Sequence, residues 1–225
     1  AGYAIPPVSN GNYAWILHMT SKLSQNGVAS FVLASGALSE DGQELLIRKK
    51  LIEEDLIEAI ILLPRKLFYT TDLGVTLWIL NKNKSARTSR GGGSSRELRD
   101  RSGSLLFIDL RAEGIPYEKK YLQLTDAACE HAVDTFHKWR AVDSAMHYQD
   151  KPEYCYSATI KEIASKGFSL VPSKYIKFEH GDFDVDFDGR LESLRDQINE
   201  ILQEEQSARA ELHTTFSGVG HGLLD

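Results

Sequence analysis

LIEAIILLPRKLFYTTDLGVTLWILNK, residues 56–82, decides the fold. It holds two short apolar runs, Ile57–Leu63 and Val75–Leu80, separated by Pro64, a basic and aromatic segment, and Gly74. Each run is too short and too rich in Ile, Leu, Val and Trp for a surface helix. Turn residues bound both, so both read as buried strands. The connection over 64–74 leaves no room for a crossover helix, which makes the two strands antiparallel. It also puts Arg65, Lys66, Phe68 and Tyr69 on one loop, a combination suited to stacking a planar ring beside phosphates. A hairpin whose aromatics only cap a core is the plainer alternative.

Upstream, Tyr13–Leu23 places apolar residues at 13, 16, 17, 19 and 23 on one helical face, behind a loop in which Asn10 and Asn12 are candidate caps. Val28–Ala34 is apolar at nearly every position, as a strand covered on both faces should be. Gly42–Glu54 reads as an amphipathic helix presenting Leu45, Leu46, Ile52 and the Lys49 stem. Strand, helix, strand makes a βαβ unit, so 28–34 and 57–63 should run parallel with a right-handed crossover. The class is therefore α/β, with parallel strands and one antiparallel strand.

Downstream, Asn83–Gly103 has no apolar period and three consecutive glycines, the features of a linker. Seven cations against two carboxylates across Lys82–Arg101 give it a local excess of +5, suiting either a solvated loop or phosphate contact. Ser104–Leu110 is a further buried strand and Tyr121–Trp139 a long helix. Thr159 and Glu162 have capping-box spacing at the start of a short helix ended by Gly167, and 170–176 is a Pro-initiated turn. Leu191–Leu212 sets Leu191, Leu194, Ile198, Ile201 and Leu212 along one face. That seam, roughly 30 Å at about 1.5 Å per residue, wants an apolar partner, either another subunit or the chain's own helix.

Composition narrows the function classes. A net charge of −6 argues against nucleic-acid binding by the whole surface but leaves room for a local basic face. Cys129 and Cys155 have neither metal-ligand spacing nor a disulfide framework, which fits a reducing cytoplasm. No apolar run reaches membrane-spanning length, no basic-then-apolar signal opens the chain, and its start at Ala1 suggests a piece of something longer. Asp184–Gly189 imitates the first half of a calcium loop, but Arg195 stands where the bidentate Glu belongs. Gly91–Gly93 lacks the Lys-Ser/Thr of a P-loop, and the histidines show no metal pairing. Ile5-Pro6-Pro7-Val8 looks like the tetrapeptide with which amino-methyltransferases hold an extruded base. Ile5 accepts no hydrogen bond and Val8 stacks poorly, so it is not that motif.

Five blocks in order, 11–19 (GNYAWILHM), 27–39 (GVASFVLASGALS), 47–71 (IRKKLIEEDLIEAIILLPRKLFYTT), 74–84 (GVTLWILNKNK) and 105–111 (LLFIDLR), resemble the modification subunit of type I restriction–modification systems. TFHKWR at 135–140, the segment 157–176 and the terminal helix resemble the same subunit's later part. The resemblance implies a DNA adenine-N6 methyltransferase that takes its methyl group from S-adenosylmethionine. It would work beside a specificity subunit and a restriction subunit in a bacterial or archaeal cytoplasm. In that family the glycine-rich cofactor loop and the Asn-Pro-Pro-Phe tetrapeptide precede the region matched here, so this chain is expected to carry no catalytic residue, to bind no cofactor and to hold no metal. Its expected parts are the latter half of the catalytic domain (1–84), a basic linker (85–103), a mixed extension (104–185) and a partner-docking helix (186–216). Phe68 or Tyr69 would line the target-base pocket, with Arg65 and Lys66 near the DNA backbone. Gly74 stands where the family commonly has Pro. A non-catalytic DNA- or subunit-interaction module derived from such an enzyme is the second reading.

Overall fold

A computed structural model describes residues 2–91, 94–118, 120–142, 147–178, 195–199, 201–203 and 205–210. The chain clusters into two compact units, Ala1–Glu179 and His180–Asp225. The first is built on a five-stranded sheet of order β1-β3-β2-β6-β9. Its strands are β1 (Val28–Ala34), β2 (Ile57–Leu62), β3 (Val75–Asn81), β6 (Ser104–Asp109) and β9 (Cys155–Thr159). Between β3 and β6 lies the hairpin β4 (Arg87–Gly91) and β5 (Ser94–Leu98), and after β6 the hairpin β7 (Gly114–Tyr117) and β8 (Tyr121–Leu124). The helices are α1 (Asn12–Lys22), α2 (Gln43–Glu53), α3 (Asp126–Arg140) and α4 (Ile160–Ser165).

β2 and β3 pair antiparallel, as the short connection requires. β1 also runs antiparallel to β3, so β1 and β2 share one direction, with β3 inserted between them. β2 pairs parallel with β6, from Ala59 opposite Leu106 to Leu62 opposite Asp109. Strand alternation then sorts the core into two layers. Ile60, Leu62, Trp78, Leu80, Leu105 and Phe107 form one cluster with Tyr13 and Ile16 of α1, Ile47 and Leu51 of α2, and Ile163 of α4. On the other face Ala59, Ile61, Leu106 and Ile108 pack with Ala132 and Trp139 of α3. A bulge between Ile57 and Ala59 breaks the register, and Ile57 joins the first cluster.

The structure corrects five expectations. β1 is not covered on both faces: it is an edge strand whose exposure alternates, with Val28 and Val32 open while Ala29, Phe31 and Leu33 lean on the first cluster. α2 buries Glu44, Ile47, Arg48, Leu51 and Ile52, and Leu46 is exposed. Arg48 is retained inside because its guanidinium is satisfied: Nε donates to the Phe168 carbonyl at 2.8 Å and Nη1 to the Glu40 carbonyl at 2.8 Å.

The stretch read as an irregular linker holds the β4–β5 hairpin, and it is anchored by its charges. Lys84 is buried, pairs with Asp55, and donates to the carbonyls of Ile57 and Ser104 at 3.1 and 2.7 Å. Arg101 is buried against Glu58 at 2.9 Å. Two of the seven cations are thus spent on the interior, and a third, Arg99, lies over the Trp139 ring. Nor is the region after 104 a separate extension, since β6 and β9 continue the same sheet. The long helix expected from Tyr121 begins only at Asp126, with Thr125 Oγ1 accepting from the Ala128 amide at 3.1 Å, because 121–124 is the strand β8. α4 carries the expected cap, Thr159 Oγ1 accepting from the Glu162 amide at 3.2 Å. In the second unit, 195–199, 201–203 and 205–210 are helical.

Candidate functional site

The loop 64–74 leaves the carboxyl end of β2 and returns into β3. The end of the ladder is closed by the Leu63 amide donating to the Val75 carbonyl at 3.0 Å. Arg65 Nε donates across the loop to the Asp72 carbonyl at 3.1 Å, and the Leu73 amide donates to Thr71 Oγ1 at 3.1 Å. Lys66 adopts a left-handed backbone, φ 61°, and its carbonyl accepts from the Leu122 amide of β8 at 3.0 Å. The β7–β8 hairpin therefore props the loop from the side. Its fit against Pro64 is close at Gly114: a Cβ there would lie 3.0 Å from Pro64 Cβ and 3.1 Å from Leu122 Cδ1, so those neighbours would have to give way.

The aromatics divide. Tyr69 sits edge-to-face on Tyr121, ring centroids 4.8 Å apart and planes at 72°. A hydrogen bond with Tyr117 and the repulsion of the neighbouring phenols push its hydroxyl above the ordinary tyrosine range. Tyr69 lines an open cavity of about 320 Å³ together with Lys66, Thr71, Lys120 and Tyr121. Phe68 is 40% exposed and lines neither this cavity nor its neighbour. Arg65 faces the other concavity, about 490 Å³, which is walled by Ser35, Gly36, Leu62, Gly74 and Arg111 at the carboxyl ends of β1 and β2. Ligands of open α/β sheets bind at that edge.

Of the four loop residues singled out in the sequence, three thus line cavities, with Arg65 and Lys66 on opposite sides. Sequence reasoning missed Arg111, Lys120, Tyr121 and Tyr117. The alternation Gly114-Ile-Pro-Tyr117 and Tyr121-Leu-Gln-Leu124 around a charged turn is the signal that would have found the last three. Of the docking seam, Ile198 and Ile201 are exposed on the helix of the second unit, while Leu191, Leu194 and Leu212 lie outside the described residues. Among the described residues no group of three or more His, Cys, Asp or Glu is placed to hold a metal, and no helix is long and apolar enough to cross a membrane.

The sequence and the fold have counterparts in known proteins. The chain is 32% identical over 221 residues, 97% of its own length and 46% of the relative, to the type I restriction enzyme HindI methylase subunit of Haemophilus influenzae. It is 31% identical over 216 residues to the MjaIX methylase subunit of Methanocaldococcus jannaschii, covering 96% of this chain and 36% of that one. It spans less than half the length of both. The crystal structure of a type I restriction–modification methyltransferase subunit from Streptococcus thermophilus superposes with a TM-score of 0.63 at 27% identity, over 77% of this chain and 32% of the other. The EcoKI M protein shares the fold, with a TM-score of 0.54 at 17% identity over 89% of this chain and 45% of that one. The family profile described as N-6 DNA Methylase matches residues 1–182, which takes in the whole sheet and the loop between β2 and β3. This match, over most of the sequence, makes the chain a member of the N-6 DNA methylase family.

Proposed function

We propose that this chain is part of a DNA adenine-N6 methyltransferase subunit of a type I restriction–modification complex, and that it builds one wall of the pocket receiving an adenine flipped out of duplex DNA. The observation that carries the reading is the propped loop, which sets the Tyr69 ring beside an open cavity flanked by Lys66 and Lys120. A flipped base offers a π-face for a ring and drags its phosphates with it, so ring and cations are needed together. Tyr69 takes the stacking role, because it borders the cavity and its orientation is held by Tyr117 and Tyr121. Arg65 and Lys66 meet the backbone on either side of the loop. Methyl transfer to an exocyclic amine needs positioning and no protein nucleophile, so a wall that fixes the ring contributes directly to rate.

S-adenosylmethionine supplies the methyl group in the intact enzyme. The described residues do not fit that cofactor. The connections after β1 and β2 form no glycine-rich turn, and a Cβ at Gly74 would meet Ser35 Oγ at an ordinary 3.5 Å, so no cradle is kept open there. The acid at the end of β6, Asp109, is committed to Arg111. The chain's own share is therefore to hold the base and the DNA backbone. The helix of the second unit, with Ile198, Ile201 and Leu202 exposed, is the surface offered to a specificity or restriction subunit. That feature alone also favours the second reading, a non-catalytic interaction module.

The test is made in the full-length enzyme with its partner subunits. Tyr69→Ala should weaken the complex with extruded adenine by about 1–3 kcal/mol, the worth of one base–aromatic stack, and slow methylation accordingly. Phe68→Ala should have the smaller effect. Unchanged methylation and DNA affinity in both variants would leave the loop as core and favour the interaction module.

A further inference from the structure

The second cavity carries a separate site. It opens at the carboxyl ends of β1 and β2, and the ionisable groups among its described lining residues are Arg65 and Arg111, with no carboxylate among them. Arg111 follows β6 and is gripped by Asp109. Its Nε lies 3.0 Å from both carboxylate oxygens, its Nη2 2.6 Å from Oδ2, and its own amide donates to Oδ1 at 3.0 Å. Asp109 is buried, so the grip is screened little, and its hydrogen bond to the guanidinium holds Arg111 more firmly charged. Arg65 is fixed in turn by the Asp72 carbonyl at 3.1 Å. Both guanidinium groups are thus oriented before any ligand arrives, each through part of its donor set, with further N–H groups left over.

We propose that Arg65 and Arg111 form a clamp for a phosphodiester of the DNA strand that carries the extruded base. The proposal rests on the reading of the 64–74 loop as the wall of the base pocket and extends it to a second position. Two oriented guanidinium groups lining one concavity suit a tetrahedral anion, because each keeps N–H donors that its oxygens can accept from. The loop lies between this cavity and the one bordered by Tyr69, so one strand can place a base on one side and an adjacent phosphate on the other. Asp109 has the role of a positioning residue: it acts on the DNA only through the orientation of Arg111.

The experiment is a salt titration of DNA affinity with the full-length subunit in complex with its specificity partner, using a short labelled duplex that contains the recognition sequence. Arg65→Gln and Arg111→Gln should each flatten the plot of log affinity against log salt by about 0.9, the value of one phosphate contact on B-DNA. Arg111→Lys should keep the slope, since the charge remains, while weakening binding through loss of the fork. Affinity for S-adenosylmethionine, measured by calorimetry on the same proteins, should not change. Wild-type slope and affinity in both Gln variants, in an enzyme that still binds and methylates DNA, would overturn the clamp and leave the base-pocket reading standing. Loss of cofactor affinity at an unchanged salt slope would overturn it too, assigning the site to a carboxylate ligand. If Tyr69→Ala is silent but the slopes flatten as stated, the base-pocket reading fails and the phosphate site survives it.

Discussion

Glu58 shows how one residue can tie distant parts of the sheet unit together. It is fully buried on β2, and one of its oxygens accepts from Arg101 Nε at 2.9 Å with Arg140 Nε 3.6 Å away. The other accepts from Asn81 Nδ2 at 2.8 Å. Strand β2, the segment after the β4–β5 hairpin, the end of α3 and the end of β3 therefore converge on one carboxylate. Removing the charge from one side leaves Arg101 buried and uncompensated, so Glu58→Gln should lower the unfolding free energy by about 3–5 kcal/mol in urea denaturation. Glu58→Leu combined with Arg101→Met should recover most of that loss, and a double variant as unstable as the single one would refute this account of the pair. Tyr13 gives a pH-dependent case. Its phenol donates to the Ala37 carbonyl at 2.6 Å, and burial pushes its pKa from 10.0 up to about 12. The folded state holds the neutral ring, so the contribution of the hydroxyl is complete below pH 10 and is lost as the pH rises toward 12. The stability advantage of the wild type over Tyr13→Phe should therefore shrink across that window, by up to about 2–3 kcal/mol. A difference independent of pH would show that the hydroxyl does not titrate with folding.

Among the elements, the β7–β8 hairpin governs the shape of the loop. A methyl group at Gly114 would press on Pro64 and Leu122, and both contacts are tighter than an ordinary Cβ makes. Gly114→Ala should thus shift the hairpin off Pro64, release the Leu122–Lys66 hydrogen bond and disorder Tyr69. In the full-length enzyme the loss of methylation should exceed the loss of stability, and a wild-type rate would show that the loop holds its form unaided. The sequence made some of these elements plain and hid others, for physical reasons. The β2–β3 pair was legible because a buried apolar run needs no partner to declare itself and an eleven-residue gap, 64–74, forces the antiparallel return. The edge position of β1 was hidden: Val28–Ala34 has the composition of a buried strand, and only its neighbours decide which face meets water. Leu122 and Leu124 fit a period of two as well as the start of a helix, so β8 was absorbed into α3. The polar β4–β5 hairpin carries no apolar alternation at all. In the site, Arg65, Lys66 and Tyr69 were found because they are neighbours in sequence, whereas Arg111 and Tyr121 reach it only through the sheet and the hairpin.

For the whole molecule, the division into Ala1–Glu179 and His180–Asp225 makes a direct prediction. The buried hydrophobic residues that can be described run from Tyr13 to Ile176, all within the first unit. A chain ending at Glu179 should then melt at the same midpoint and with the same cooperativity as the full one, and a lowered midpoint would show that the second unit shares in stabilising the first. The place of β3 has a further consequence, for the time course of folding. The strands are made in the order β1, β2, β3 but hydrogen-bonded in the order β1-β3-β2. When β1 leaves the ribosome, β3, the one strand it pairs with among the described residues, has not been synthesised, and the chain must extend to Asn81 before Val28 has that partner. The β2–β3 hairpin closes over a short loop and at little entropic cost, so it forms early, and β1 is added to an existing edge. Damage to β1 should therefore speed unfolding without slowing folding, while damage to β2 or β3 should slow folding itself. Until that late addition the free edge of β3 is an unpaired template, and this part of the nascent chain is exposed to aggregation until β1 docks on it.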